Sequence, residues 1–197
     1  MNRVRLRTLL AALAHPLAAL PHDVFNPYAD YCPALERPDA PRIRLANLAR
    51  YLRERAYARI ALIGEAPGYR GCRFTGLPFT CEAQLRALGN TRYRTTSLRG
   101  DYDERSARDV WRAIGTRGDV IFWNAFPWHP HQPGRPLSNR QPSAAELRAG
   151  CFALKLFLEW KRPERVIAVG RVAERAAHGG RSGYLRAPSL ARRPARL

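Results

Sequence analysis

The sequence predicts a three-layer α/β/α sandwich around a four-stranded parallel sheet. Three observations predict it. Short apolar runs at 60–63, 120–125 and 166–169 have the length of buried strands. Segments with helical spacing separate them. Helix and strand alternate along the chain, an order that favours parallel strands joined by right-handed crossovers. Ligands of such sheets bind beyond the carboxyl ends of the strands.

The elements follow in order. Arg3, Arg5 and Arg7 precede an apolar run from Leu9 to Leu20, broken by His15 and Pro16. That reads as an amphipathic N-terminal helix, too short and too interrupted to span a membrane. Residues 21–42 hold five prolines and read as an irregular loop. Residues 43–56 place Leu45, Leu48 and Leu52 on one helical face. The run from Ile60 to Ile63 reads as a buried strand, and residues 69–80 as irregular. Asp103 is positioned to cap a helix carrying Ala107, Val110, Trp111 and Ile114, closed by Gly115. A second strand follows from Val120 to Ala125. Ser143 and Glu146 have capping-box spacing, and Leu147, Cys151, Leu154 and Leu158 form a stripe behind them. A third strand at 166–169 turns at Gly170 into a short helix. A weak fourth strand is expected at Tyr184–Arg186. No linker divides the chain, so residues 1–197 read as one domain, with an N-terminal helix and loop at 1–42 and a basic tail at 181–197.

The charge is far from balanced. There are 34 basic and 16 acidic residues, a net +18. Nearly all the basic residues are Arg; the lysines are Lys155 and Lys161. Such an excess calls for a polyanionic partner, nucleic acid being the commonest. An Arg-rich coding bias is the bland alternative. Cys32, Cys72, Cys81 and Cys151 form no Cys-x-x-Cys pair, so neither a zinc ribbon nor a redox dithiol is indicated. Reduced thiols in the cytoplasm and a monomeric chain are expected.

Two loops carry candidate chemistry. The first, GEAPGYRGCRFTGLPFT from Gly64 to Thr80, sets Glu65 at the mouth of a strand and Phe79 near its far end. Read alone, Glu65 fits a solvated turn equally well, and Phe79 fits a core residue. The second strand ends in Asn124, although Asn is a poor strand former. Its amide offers a donor and an acceptor side by side; an Asn capping the next turn is the alternative.

GEAPG at 64–68 followed by Gly76-Leu77-Pro78-Phe79 resembles the first motif of the uracil-DNA glycosylase superfamily. The nearest branch is the one that carries an iron–sulfur cluster. The strand ending in Asn124, the run Asn139-Arg140-Gln141-Pro142, the helix with Cys151, and Arg162-Pro163 to Val169-Gly170 are similar to later segments of that branch. The resemblance runs from Ile60 to Gly170 and loosely beyond. It implies that Glu65 positions or activates a water, that Phe79 stacks on an extruded base and that Asn124 reads its edge. The backbone from Ala66 to Gly68 would touch the base or a flanking phosphate. An Asn amide suits uracil, which pairs an O4 acceptor with an N3–H donor. The implied partner is DNA containing uracil or a related deaminated base, and the implied reaction is hydrolysis of its N-glycosidic bond.

Three positions depart from the pattern. Of the cluster's four cysteines only Cys151 has a counterpart, so no cluster, metal or other cofactor is expected. The family's last motif, His-Pro-Ser, is replaced by Arg186-Ala187-Pro188-Ser189, with Ala in place of the His. Gly68 stands where a uracil-specific branch has a Tyr that excludes the thymine methyl. His129 or His131 is the candidate replacement for the missing donor to the leaving base; surface loop histidines are the alternative. Arg140, Arg186, Pro188, Ser189 and Leu190 are expected on DNA, Leu190 as a wedge filling the vacated stack. A DNA-binding paralogue without turnover is the competing reading.

Overall fold

Buried backbone must pair its N–H and C=O groups, and the three central apolar runs do so with one another. The computed structural model describes residues 3–16, 20–87, 89, 92–115 and 117–179. Along them run α1 (Arg3–Ala14), β1 (Val24–Phe25), α2 (Ala40–Glu54), β2 (Ile60–Gly64), α3 (Cys72–Thr75) and α4 (Glu82–Ala87). Then follow α5 (Arg105–Ile114), β3 (Val120–Asn124), β4 (His129–Pro130), α6 (Ala144–Lys161), β5 (Arg165–Ala168) and α7 (Arg171–Gly179).

The described sheet has three parallel strands in the order β3-β2-β5. Ile60 to Gly64 pair in step with Val120 to Asn124, and Ile60 to Ile63 with Arg165 to Ala168. Gly64 and Asn124 therefore end side by side. The expected fourth strand at 184–186 lies outside the described residues.

Successive strand side chains face opposite ways, which explains how both faces are covered. Trp123 stacks on Phe157 of α6, with ring centroids 4.4 Å apart. Its neighbour Phe122 meets Trp111 of α5 edge-on at 5.3 Å. On the edge of β3 away from β2, the Phe122 N–H donates to the Tyr51 hydroxyl of α2 at 2.7 Å. Helix α1 buries Leu6, Leu9 and Leu13 and packs against α2 and α6. No described helix is long and apolar enough to cross a membrane.

Several sequence expectations shift. Helix α2 begins at Ala40, with Pro41 in its first turn, where the missing N–H of Pro costs nothing. Its buried face is Ile43, Leu48 and Leu52 with Arg44, Asn47 and Tyr51, and Leu45 sits on the flank. The buried face of α6 is Gly150, Ala153, Leu154, Phe157 and Trp160; Cys151 is exposed. The cause is Gly150: a Cβ there would lie 2.8 Å from Phe126 Cδ2, so the helix turns its smallest residue to the loop after β3. Asp103 does not cap α5. Glu104 precedes the helix in extended conformation, without a side-chain cap bond, while Asp103 pairs with Arg108. The irregular loop at 21–42 contains β1, and the segment after β3 contains β4; the two pair antiparallel through Val24↔Pro130 and Phe25↔His129.

The capping box forms as expected. Ser143 Oγ accepts from Glu146 N at 3.2 Å, and Glu146 Oε2 accepts from Ser143 N at 2.7 Å. Ser143→Ala is expected to lower stability by about 1 kcal/mol, read as a lower urea midpoint at unchanged slope.

A buried ionic cluster pins the N-terminal loop beneath α3. Glu36 Oε1 accepts from Arg44 at 2.7 Å and from Arg73 at 2.8 Å, all three side chains being fully buried. Two cations share one carboxylate. The rings of Phe25 and Phe74, 4.1 and 4.4 Å from the Arg73 guanidinium carbon, offer it their negative faces.

Candidate active site

The strand register decides where the site lies. With Gly64 beside Asn124, the loops leaving β2 and β3 open onto the same carboxyl end of the sheet. Backbone bonds extend the pairing one step further: Ala125 N donates to Gly64 O at 2.8 Å and Phe126 N to Glu65 O at 2.9 Å. A cleft of about 200 Å³ lies there, lined by Glu65, Phe79, Glu104 and Asn124 together with the backbone turn Ala66-Pro67-Gly68. That is below the roughly 300–1,000 Å³ of drug-sized sites and suits a single flat ring.

Gly64 allows the central contact. A Cβ at this position would fall 2.5 Å from Phe79 Cζ and 2.9 Å from Asn124 Oδ1. Hydrogen alone leaves room for the ring edge and the amide to meet over the strand end. Phe79 takes φ 50°, a left-handed conformation uncommon outside glycine. Trp111 Nε1 donates to the Phe79 carbonyl at 2.9 Å, and the Phe79 ring meets Phe122 edge-on at 5.7 Å. Strain of this kind persists where the surroundings over-determine it, and it clusters at ligand sites. Phe79 is half-buried, so part of its ring faces the cleft.

Asn124 is 5% exposed. Among the described residues its side chain bonds Cys72 Sγ, at the long distance of 3.9 Å. It does not cap the following turn. A buried amide so weakly partnered is available to a ligand.

The cleft holds two unusual carboxyl groups. Burial raises the pKa of half-buried Glu65, with Arg175 of α7 acting against the shift. Glu104 was not singled out by the sequence. Burial, reinforced by Asp103, lifts it to about 7. Its carboxyl sits in a notch made by two glycines: a Cβ at Gly68 would lie 1.9 Å from one oxygen, and a Cβ at Gly71 2.0 Å from the other. Gly68 therefore does more than lack a side chain, because the Glu104 carboxyl occupies the space beside it. Near neutral pH a large fraction of this group is uncharged and able to donate a hydrogen bond.

Raised in the folded chain and ordinary in the unfolded one, Glu104 binds its proton more tightly when folded. Its contribution is present below about pH 4.5 and is lost as pH rises through about 7. Glu104→Gln is expected to be more stable than wild type by about 2 kcal/mol at pH 8. The gap should close by pH 4. Urea denaturation at both pH values measures it.

The two histidines lie elsewhere than expected. His129 is fully buried, and its Nδ1–H donates to Pro67 O at 2.7 Å. Burial pushes it down to about 4, so it is neutral at pH 7. His131 is buried too and bonds Gln132 O at 3.0 Å. Neither lines the cleft. They are not surface loop residues either: β4 carries His129 beneath the first loop, where it holds the Pro67 carbonyl in place.

Arg140 borders the cleft, but its guanidinium is committed. It donates to both Glu146 oxygens, at 2.6 and 2.8 Å, to Asp23 at 3.0 Å and to His131 O at 2.9 Å. These bonds make a clamp joining the N-terminal loop, β4 and α6. Ala66 and Gly68 line the cleft. Arg186, Pro188, Ser189 and Leu190, with Ala187, lie outside the described residues. Among the described residues no three His, Cys, Asp or Glu side chains are grouped to hold a metal ion.

A flat heterocycle can lie against Phe79 with one polar edge on the Asn124 amide and two carboxyl groups at the cleft wall. Comparison with known proteins fits this arrangement. A sequence model described as the Uracil DNA glycosylase superfamily matches residues 54–193, and no curated protein matches the chain.

Proposed function

The chain belongs to the uracil-DNA glycosylase superfamily, and from that premise we propose that it removes uracil, or a related deaminated base, from DNA. The observation that carries this reading is the convergence of Glu65, Phe79 and Asn124 on one base-sized cleft. The target nucleotide leaves the stack. Its base lies on Phe79, and Asn124 pairs with its O4 and N3–H edge. Glu65 holds a water against C1′ and accepts its proton. The water oxygen bonds C1′ as the C1′–N bond breaks, and the base departs with the bonding pair. Negative charge then grows on the base carbonyls, where a donor lowers the barrier. Asn124 Nδ2 and protonated Glu104 are donors that the described residues bring to the cleft.

A second reading rests on Ala187, which stands where the family's last motif has a His: a paralogue that binds the base without turnover. Incubation with labelled strands holding uracil, hypoxanthine or xanthine, followed by alkali, separates the two. Strand breaks at the modified base support the enzyme; binding without breaks supports the paralogue.

DNA is the proposed partner in both cases, and the +18 charge supports it. If roughly six phosphates are neutralised, affinity is expected to fall about a thousandfold between about 50 and 200 mM salt. A flat salt response would separate the charge from DNA binding.

A further inference from the structure

A second cleft, of about 360 Å³, borders the first and is used by nothing described so far. Its walls carry Tyr69, Arg70, Arg99, Tyr102 and Leu137. The two clefts share a partition. Gly68 and Glu104 face the first, and their chain neighbours Tyr69 and Asp103 face the second. The Glu104 carboxyl lies against Gly68 within this partition.

The second cleft has the chemistry of a stacking site. Tyr102 is a fixed platform, since one face of its ring lies on Phe74 with centroids 4.2 Å apart and planes 10° from parallel. The Arg99 guanidinium carbon lies 5.3 Å from the Tyr102 ring centre, and that of Arg70 lies 5.3 Å from the Tyr69 ring centre. Among the described residues Arg70 meets no carboxylate; its Nε donates to the Tyr69 hydroxyl at 2.7 Å. Arg99 pairs with Asp101 at 3.1 Å, but both side chains are more than half exposed, so the pair is cheaply opened. Each guanidinium lies over the face of its ring, and aromatic rings combined with arginines in this way bind nucleobases and their phosphates without regard to sequence.

On the reading of the first cleft as the seat of an extruded base, we propose that the second cleft is a subsite for the adjoining nucleotide, so that the protein takes two consecutive unpaired nucleotides of one strand. The adjoining base displaces the exposed Arg99 guanidinium from the Tyr102 face, with Tyr69 beside it, and its phosphate meets Arg70. Sharing the partition places the two seats next to each other, as neighbours on one strand require. A duplex offers the second seat nothing until a further base leaves the stack, so single strands are the favoured substrate.

Binding to short single strands with a central deoxyuridine tests this by fluorescence anisotropy. The base on the 5′ side, the 3′ side, both sides or neither is replaced by an abasic spacer. Loss of the adjoining base on one side is expected to weaken wild-type binding about tenfold. Tyr69→Ala combined with Arg70→Ala should abolish that discrimination, and Tyr69→Phe should keep it. Equal wild-type binding to all four strands overturns the subsite, and so does discrimination that survives in the double variant. Excision is followed in the same samples. No excision with discrimination intact defeats uracil removal while supporting the subsite.

Discussion

Replacing Glu65 with Gln is expected to slow single-turnover excision of uracil by about 10²–10⁴-fold, with little change in affinity for the uracil-containing strand. The amide keeps the size of the carboxylate and can still hold a water, but it cannot take the water's proton. The local fold should survive, because the backbone here is fixed independently of the side chain. Glu65 O accepts from Phe126 N, and the residues before it form β2. The pH dependence sharpens the test. A base must be ionised to act, and burial raises Glu65 above the usual carboxylate range. The wild-type rate should therefore rise with pH along a limb displaced upward from that range. Glu65→Gln should flatten this limb. Glu104 acts in the opposite sense. If its protonated form assists the departing base, the rate should fall again as pH passes about 7, and Glu104→Gln should remove that fall. A Glu65→Gln rate within a few-fold of wild type, with its pH profile unaltered, would assign the water to another group.

The central sheet is legible in the sequence because parallel strands covered on both faces read as unbroken apolar runs. Val120 to Asn124 is buried at every position, and Ile60 to Gly64 at all but the first. The pair β1 and β4 is not legible: two residues leave no period to detect. The face of α6 was displaced by about one position because the helix is apolar nearly all round. What chooses the face is the close approach of Gly150 to Phe126, a property of the partner loop.

The same division runs through the site. Glu65, Phe79 and Asn124 could be found because each is an anomaly where it stands. A carboxylate follows a buried strand, an aromatic sits in a Gly-Pro loop, and an amide ends an apolar run. Glu104 follows Asp103 just ahead of a helix, where acidic residues are ordinary. Only the notch made by Gly68 and Gly71 gives it a desolvated seat. The burial of His129 and His131 was hidden for a related reason. Prolines and glycine surround them in sequence, which suggests a surface loop, yet β4 draws the segment beneath Pro67. The ion pairs of Arg140 were hidden because its two carboxylates, Asp23 and Glu146, come from different parts of the chain.

Replacing Asn124 with Asp is expected to lower kcat/KM for uracil by about 100- to 1,000-fold near pH 8, since a buried site that mispairs with a ligand polar group discriminates strongly. An ionised carboxylate can accept from uracil N3–H but cannot donate to O4, and its second oxygen faces O4 across a repulsive contact. The environment makes this severe. The side chain is buried against Gly64, Phe79 and Cys72. Burial should also raise the pKa of the new carboxyl, since Cys72 and Phe79 bring no positive charge. As pH falls the carboxyl gains a proton and with it a donor. Turned one way, the acid again matches uracil. Turned the other way, it accepts from the cytosine amino group and donates to cytosine N3. Relative to wild type at the same pH, the variant should therefore recover activity on uracil as the solution is acidified, and it should gain binding to cytosine-containing strands, which wild type should not. Excision and binding measured on matched uracil and cytosine strands from pH 5 to 8 provide the check. Full uracil activity of Asn124→Asp at pH 8 would mean that the base edge is read by some group other than this amide.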